Sequence, residues 1–367
     1  MRNHTLALLA ATLTGGCATT SKSTTPAGGV VHQYQQGGGA GHANCYWFET
    51  PAGTVVVDVP MSAPESKKLR NSLVRPYRIY VTAAKPERFG GLDAMRNPDI
   101  PAYTTPAVAT EIQNHGNARL APFHAKNDDV PSHVNPPVPA VEERTHDMVG
   151  EVELELLPLG PAESEASLAL FLPKTGELIA GDVVAGGEHV DLTWGRSVVW
   201  QDRIAELKAL EPKAVYPGHG TPGGPELLDQ TLEYLKFFHD TVAEHVKSGA
   251  PAKIAPADLA DIRKKMLAHY QKLGRAELLE KSIPAEYTVQ LSALPPAPAE
   301  PAATTGGAPA AGTPATAGSP PAAASPAPSQ AAPETVHSTP SSGGADDLLN
   351  SGADTVKDTK KGKKKKK

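Results

Sequence analysis

Tyr80-Val81-Thr82-Ala83-Ala84-Lys85-Pro86-Glu87-Arg88-Phe89-Gly90-Gly91 is the stretch whose reading decides the fold. An apolar strand over 78–82 runs into a polar turn, and two glycines then open an amphipathic helix. This order puts the turn at the carboxyl end of a strand, where open α/β sheets hold their chemistry. Working outward, Asn44-Cys45-Tyr46-Trp47-Phe48 and Thr54-Val55-Val56-Val57-Asp58 read as a hairpin about the Thr50-Pro51-Ala52-Gly53 turn. Downstream, Gly160-Pro161-Ala162-Glu163-Ser164 precedes an apolar strand over 168–172, Gly181-Asp182 closes another, and Val215-Tyr216-Pro217-Gly218-His219-Gly220 ends a third.

Together these pieces resemble the metallo-β-lactamase superfamily, over about residues 30 to 291. That family's central motif is Thr-His-x-His-x-Asp-His-x-Gly-Gly, whose histidines and aspartate hold one or two metal ions. Thr82, Gly90 and Gly91 match it, while the ligand positions read Ala83, Lys85, Glu87 and Arg88. The next metal histidine is replaced by Glu163; the bridging aspartate and last histidine are matched by Asp182 and His219. The resemblance implies an α/β fold, an αββα four-layer sandwich, and a degenerate metal site.

The chemistry of the substitutions narrows what that site can do. Ligation needs a lone pair, which Ala83 lacks and which a guanidinium such as Arg88 does not offer. Lys85 would have to drop by about three pKa units to be half neutral at pH 7, at roughly 4–5 kcal/mol. Glu87, Glu163 and Asp182, its expected neighbours, push the other way. The pocket therefore reads as Ala83, Lys85 and Arg88 set among Glu87, Glu163, Asp182 and His219, an internal salt-bridge cluster needing no cofactor. The competing reading keeps catalysis. Arginine occurs at the position of Arg88 in some β-lactamase subgroups, and some use one metal, so Glu87, Asp182 and His219, with Glu163 nearby, could hold one divalent ion. Zinc, manganese or iron would suit such a set, with Asp182 and His219 as catalytic residues of a hydrolase that activates water. No Ser-His-Asp order, phosphate loop, dinucleotide fingerprint or nucleic-acid motif occurs elsewhere.

The ends of the chain differ in composition from the middle. Residues 1–17 read as a lipoprotein-type signal: Arg2, an apolar run over 6–13, then Gly15-Gly16 before Cys17. Acylation of Cys17 would anchor the protein to the membrane of a bacterial cell envelope, with 18–29 as a flexible tether. A plain secretory signal and a secreted protein are the alternative. Cys45, the other cysteine, falls in an expected strand and reads as a buried thiol. The domain is expected over 30–292. Within it, 113–146 is polar and Pro-rich and reads as a long loop, with His115, His124, His133 and His146 as solvated residues rather than ligands. Helices are expected over 66–73, 200–210, 225–246, 256–270 and 275–281, and an edge strand near Tyr103.

Residues 293–345 are dominated by Pro, Ala, Gly, Ser and Thr, a composition that cannot offset its ordering entropy and is expected to be a disordered linker. The tail over 346–367 ends in seven lysines among the eight residues Lys360 to Lys367. Setting those seven aside leaves 28 basic against 40 acidic residues, so an acidic body carries a cationic tip. Such a tip suits binding to anionic surfaces or polymers, with a solubilising tail that binds nothing in particular as the alternative that composition leaves open. A binding or tethering envelope lipoprotein, catalytically impaired, is the function these features favour.

Overall fold

Alternating apolar residues build both sheets. In β3 (Gly53–Val57), Val55 and Val57 enter one buried cluster and Val56 another, as the two-residue period of a strand covered on both faces requires. In β9 (Ser167–Leu172), Leu168, Leu170 and Leu172 point one way and Ala169 and Phe171 the other. The computed structural model describes residues 30–37, 42–73, 76–96 and 100–295. The expected signal peptide with Cys17, the tether, nearly all of the linker and the lysine tail lie outside the described residues.

The first sheet contains β1 (His32–Gln35), β2 (Asn44–Thr50), β3, β4 (Pro76–Tyr80), β5 (Ala102–Thr104) and β6 (Val138–Pro139), in that order. β1, β2 and β3 pair antiparallel, with Tyr46 opposite Val57, and the later neighbours pair parallel. The second sheet runs β11 (Ala214–Gly220), β10 (Glu177–Gly186), β9, β8 (Val152–Leu159) and β7 (Thr145–Val149). Only β10 and β11 are parallel in it, with Ile179 opposite Tyr216.

Three apolar layers separate four structural ones. Tyr46, Phe48, Tyr80, Leu170, Ile179 and Tyr216 fill the space between the sheets. Val56, Ile79, Phe89, Leu92 and Ile112 pack the first sheet against α1 (Ala63–Ser72), α3 (Leu92–Met95) and α4 (Pro106–His124). Trp200, Leu228, Phe238, Ile262 and Ile283 pack the second against α5 (Ser197–Lys208), α6 (Glu226–Ala243), α7 (Pro256–His269) and α8 (Leu279–Ala293). This is the αββα sandwich.

Several boundaries depart from the sequence reading. Residues 113–146 are not one loop: Thr105 caps α4 by accepting from Val108 N at 3.2 Å, Pro106 opens it, and it runs nineteen residues. Its buried side is small and mixed (Val108, Ala109, Ile112, Gly116, Leu120) and Pro122 lies inside it, so the helical period is faint. His115 and His124 are on that helix and His146 is on β7. The strand near Tyr103 is not the edge, because β6 pairs beyond it. The glycines open a helix as expected, α3 with Gly91 at its N-cap, but a further short helix, α2 (Pro86–Phe89), precedes them. Gly91 also serves close packing: a Cβ there would lie 2.3 Å from the Pro60 carbonyl oxygen and 2.0 Å from Ser66 Oγ. The last helix extends to Ala293, beyond the expected 275–281.

Candidate functional site

Strand ends from both sheets converge on one buried polar cluster. β2 brings Asn44, β3 leads to Asp58, β4 leads through Thr82 and Ala83 to Lys85 and α2, β10 carries Asp182, and β11 carries His219. Asp58 sits at φ 60°, a left-handed conformation that aims its carboxylate back at the strand ends. It accepts from Thr82 N at 2.8 Å and Thr82 Oγ1 at 2.7 Å.

Arg88 is the centre of the cluster. It is fully buried and its donors are all directed inward. Nε donates to Asp182 Oδ2 at 2.9 Å and Nη2 to Asp182 Oδ1, a two-pronged pair. Nη1 donates to the Asn44 carbonyl at 2.7 Å and Nη2 also to the Gly218 carbonyl at 2.8 Å. Asp58 Oδ2 stands 3.6 Å from Nη1. Gly218 is required by this approach, because a Cβ there would fall 2.1 Å from Asp182 Oδ1. Asn44 pins the same turn by donating to the Pro217 and Gly220 carbonyls at 3.0 and 2.9 Å.

Around that core lie the other charged groups. Lys85 pairs with Glu163 and, at 3.5 Å, with Asp191. Of its expected neighbours Glu163 pairs with Lys85 directly, while Glu87 and Asp182 feel its charge; Asp182 is bonded by Arg88, and Asp191 is an additional partner of Lys85. His219 Nε2 lies 3.5 Å from Asp182 Oδ1 and 3.8 Å from Glu87 Oε1. Ala83 is buried, bridging Ser167 by its backbone, and offers no side-chain donor. Cys45 is a buried free thiol, its Sγ accepting from Gln36 Nε2 at 3.3 Å.

Burial and charge set the protonation of these groups. Burial pushes Asp182 up, but Arg88, His219 and Lys85 outweigh it and hold the carboxyl well below its usual range. Glu87 behaves alike: burial raises it, and His219 with Lys85 more than offsets the rise. Asp191 is also held low, with burial outweighed first by Lys85. For Asp58 burial wins over Arg88 and the Thr82 hydrogen bonds, and the carboxyl is pushed up to about 7.

The fit to metal differs between one ion and two. Ala83, Lys85 and Arg88 leave a dinuclear centre without donors, and both Asp182 oxygens are already engaged. Glu87, Asp182 and His219, however, each offer a ligand atom, all within 4.8 Å of one another, and no other group of three such residues forms among the described residues. Glu163 stands outside it. His115, His124, His133 and His146 do not gather. Beside Lys85 and Glu87 a cavity of about 250 Å³ opens, bordered also by Glu111, Arg119, Ser164 and Trp194. The roles of Asp58, Asp191 and Asn44 were missed from sequence. Asp58 had a signal, an acidic residue at the end of a buried strand. Asp191 had none.

Residues 38–219 match the family described as the Metallo-beta-lactamase superfamily. A metallo-beta-lactamase type 2 from Bacillus sp. (strain 170) is 22% identical over 203 residues, covering 52% of this chain and 71% of that one. Among solved structures, a metallo-beta-lactamase from Pontibacter korlensis is 20% identical with a TM-score of 0.49, covering 60% of this chain and 99% of that one. The metallo-beta-lactamase IND-7 is 21% identical with a TM-score of 0.48, covering 57% and 95%.

Proposed function

Residues 38–219 make this chain a member of the metallo-β-lactamase superfamily, and from that premise we propose that it is a non-hydrolytic, ligand-binding member. The observation that carries this is the Arg88–Asp182 pair, in which a fully buried guanidinium engages both oxygens of the family's bridging carboxylate. With Lys85 on Glu163 and Asp191, two fixed cations balance the carboxylates that metal ions would otherwise balance. Fold membership alone does not supply catalysis, so the site's chemistry decides. A small polar ligand would enter the cavity beside Lys85, Glu87 and Arg119.

The rest of the proposal comes from the chain's ends. Acylation at Cys17 would hold the domain in the cell envelope, and the Lys360–Lys367 tip would engage an anionic surface or polymer. The domain would then be a binding module tethered at one end and attached electrostatically at the other.

A second reading has its own observation, the convergence of Glu87, Asp182 and His219. These residues would hold one divalent ion, which would lower the pKa of a bound water and supply hydrolytic chemistry. Asp182 would have to serve Arg88 and the metal together.

Elemental analysis of protein lacking residues 1–17 separates the two readings. Well under one equivalent of zinc, manganese or iron per chain is expected, even after incubation with each ion. One equivalent that survives dialysis, and is lost in His219→Ala, would replace the binding reading with the single-metal hydrolase.

A further inference from the structure

The hollow beside Lys85 and Glu87 does not end at its mouth. A wider one, of about 900 Å³, adjoins it along α4 and shares Glu111, Arg119, Glu165 and Trp194 with it, so the two form one groove. That size is at the upper end of the range for ligand sites, about 300–1,000 Å³. Along the outer part α4 presents the small side chains of Ala107, Thr110 and Ala118.

Trp194 borders both hollows. It is 43% exposed, and among the described side chains it is the only exposed phenylalanine, tyrosine or tryptophan. Tryptophan is ordinarily well buried, so an indole left open at a groove marks a contact surface. The Arg196 guanidinium lies over this ring at 5.9 Å and is itself fixed by Glu165, donating from Nη2 to Oε1 at 2.6 Å. The indole is therefore propped in place while it stays open to the groove.

The charged groups along the groove are paired within its wall, yet keep accessible polar atoms. Arg119 donates to the Ala84 carbonyl at 2.6 Å and to Glu111 Oε2. Glu111 and Glu165 each give one oxygen to an arginine. The other oxygen of each has no recorded partner, on side chains that are 25% and 38% exposed. Acceptors thus stand beside guanidinium donors on the same wall as the indole.

We propose that this groove binds a neutral oligosaccharide. A pyranose ring has an apolar C–H face that stacks on an indole, and neighbouring hydroxyls that donate to a carboxylate and accept from a guanidinium. Charges already paired in the wall ask for no countercharge from the ligand. A phosphate-bearing polymer would meet Glu87, Glu111, Glu165 and Asp191 against only Lys85 and Arg119. An extended peptide would find helices and loops here rather than a strand edge to pair with. The proposal rests on the reading of this pocket as a binding site and names the class of its ligand.

The test is titration of the full-length protein, in EDTA, with cellotetraose, maltotetraose and N-acetylchitotetraose, followed by tryptophan fluorescence and calorimetry. At least one should bind saturably at millimolar concentration or below. Trp194→Ala should weaken that binding by about tenfold. Ala118→Tyr, which fills the groove from an exposed position on α4, should abolish it. Both variants change exposed side chains, so their thermal midpoints should stay within a few degrees of wild type. Failure of all three sugars to bind, or binding that both folded variants retain, would overturn the proposal. Metal content tests the non-hydrolytic reading separately. A metal-free protein that binds no sugar keeps that reading and loses this one, and a metal-holding protein that binds sugar in EDTA does the reverse.

Discussion

The Arg88 guanidinium reaches one carboxylate through Nε and Nη2 and two backbone carbonyls through Nη1 and Nη2, so strand ends from both sheets are tied to a single side chain. Removing it leaves Asp182 and Asp58 buried together without their cation, a loss of about 3–5 kcal/mol for a broken buried pair. The pH dependence follows from the direction of the Asp182 shift. In the native protein its carboxyl lies below its unfolded value, so its contribution is present at neutral pH and fades as pH falls below about 5. Without Arg88, burial raises the same carboxyl, which then favours the acid side. Urea midpoints of Arg88→Ala should therefore lie far below wild type at pH 7 and recover part of the deficit at pH 5. An equal deficit at both pH values would show that the pair does not set the cluster's electrostatics. Arg88→Lys should retain only part of the stability, because an ammonium keeps the charge and loses the planar fork.

Helix α8 lies beyond the residues that match the family, yet it is fastened to them. Glu286, nearly fully buried, accepts from Ser197 Oγ at 2.6 Å and from Ser197 N at 3.3 Å, where α5 begins. His239 Nδ1 of α6 lies 2.9 Å from it and Gln290 Nε2 donates to it at 2.8 Å. A carboxylate at a helix N-terminus also meets the favourable end of the helix dipole. Glu286→Ala should cost about 2–3 kcal/mol by leaving buried donors unpaired, read as a lower urea midpoint by circular dichroism. A change under about 0.5 kcal/mol, typical of a neutral surface site, would mean that α8 is only laid on the surface. This helix was under-read in sequence for a physical reason: Pro284 lies inside it and its apolar stripe is weak. The strands were legible because Val, Leu and Ile runs covered on both faces leave little else to be. The motif turn was legible as a scaffold, since Thr82, Gly90 and Gly91 each meet a packing or hydrogen-bond demand. The pairing inside the site was less so, because Asp191 and Lys85 are brought together by tertiary structure alone. Composition likewise hid α4, whose buried side mixes Ala109 and Gly116 with Val108, Ile112 and Leu120.

Across the whole molecule, charge is divided between an acidic body and a cationic end. Apart from Lys360 to Lys367 the chain carries 28 basic and 40 acidic residues, so its long-range field repels an anionic surface. Any attraction to such a surface must then come from the seven terminal lysines, each worth about 1 kcal/mol near an anionic bilayer. Exposed charges are screened within about 8 Å at physiological ionic strength, so that attraction must weaken steeply with salt. Protein with Cys17→Ala, which removes any acyl anchor, should co-sediment with vesicles containing anionic phospholipid at low salt. It should be released on raising sodium chloride to roughly 0.5 M, where the screening length falls to about half. Deleting Lys360 to Lys367 should abolish the binding at low salt as well, leaving the repulsive body alone. Binding that survives the deletion, or that persists at high salt, would place the attraction on the folded domain and remove the electrostatic half of the tethering proposal.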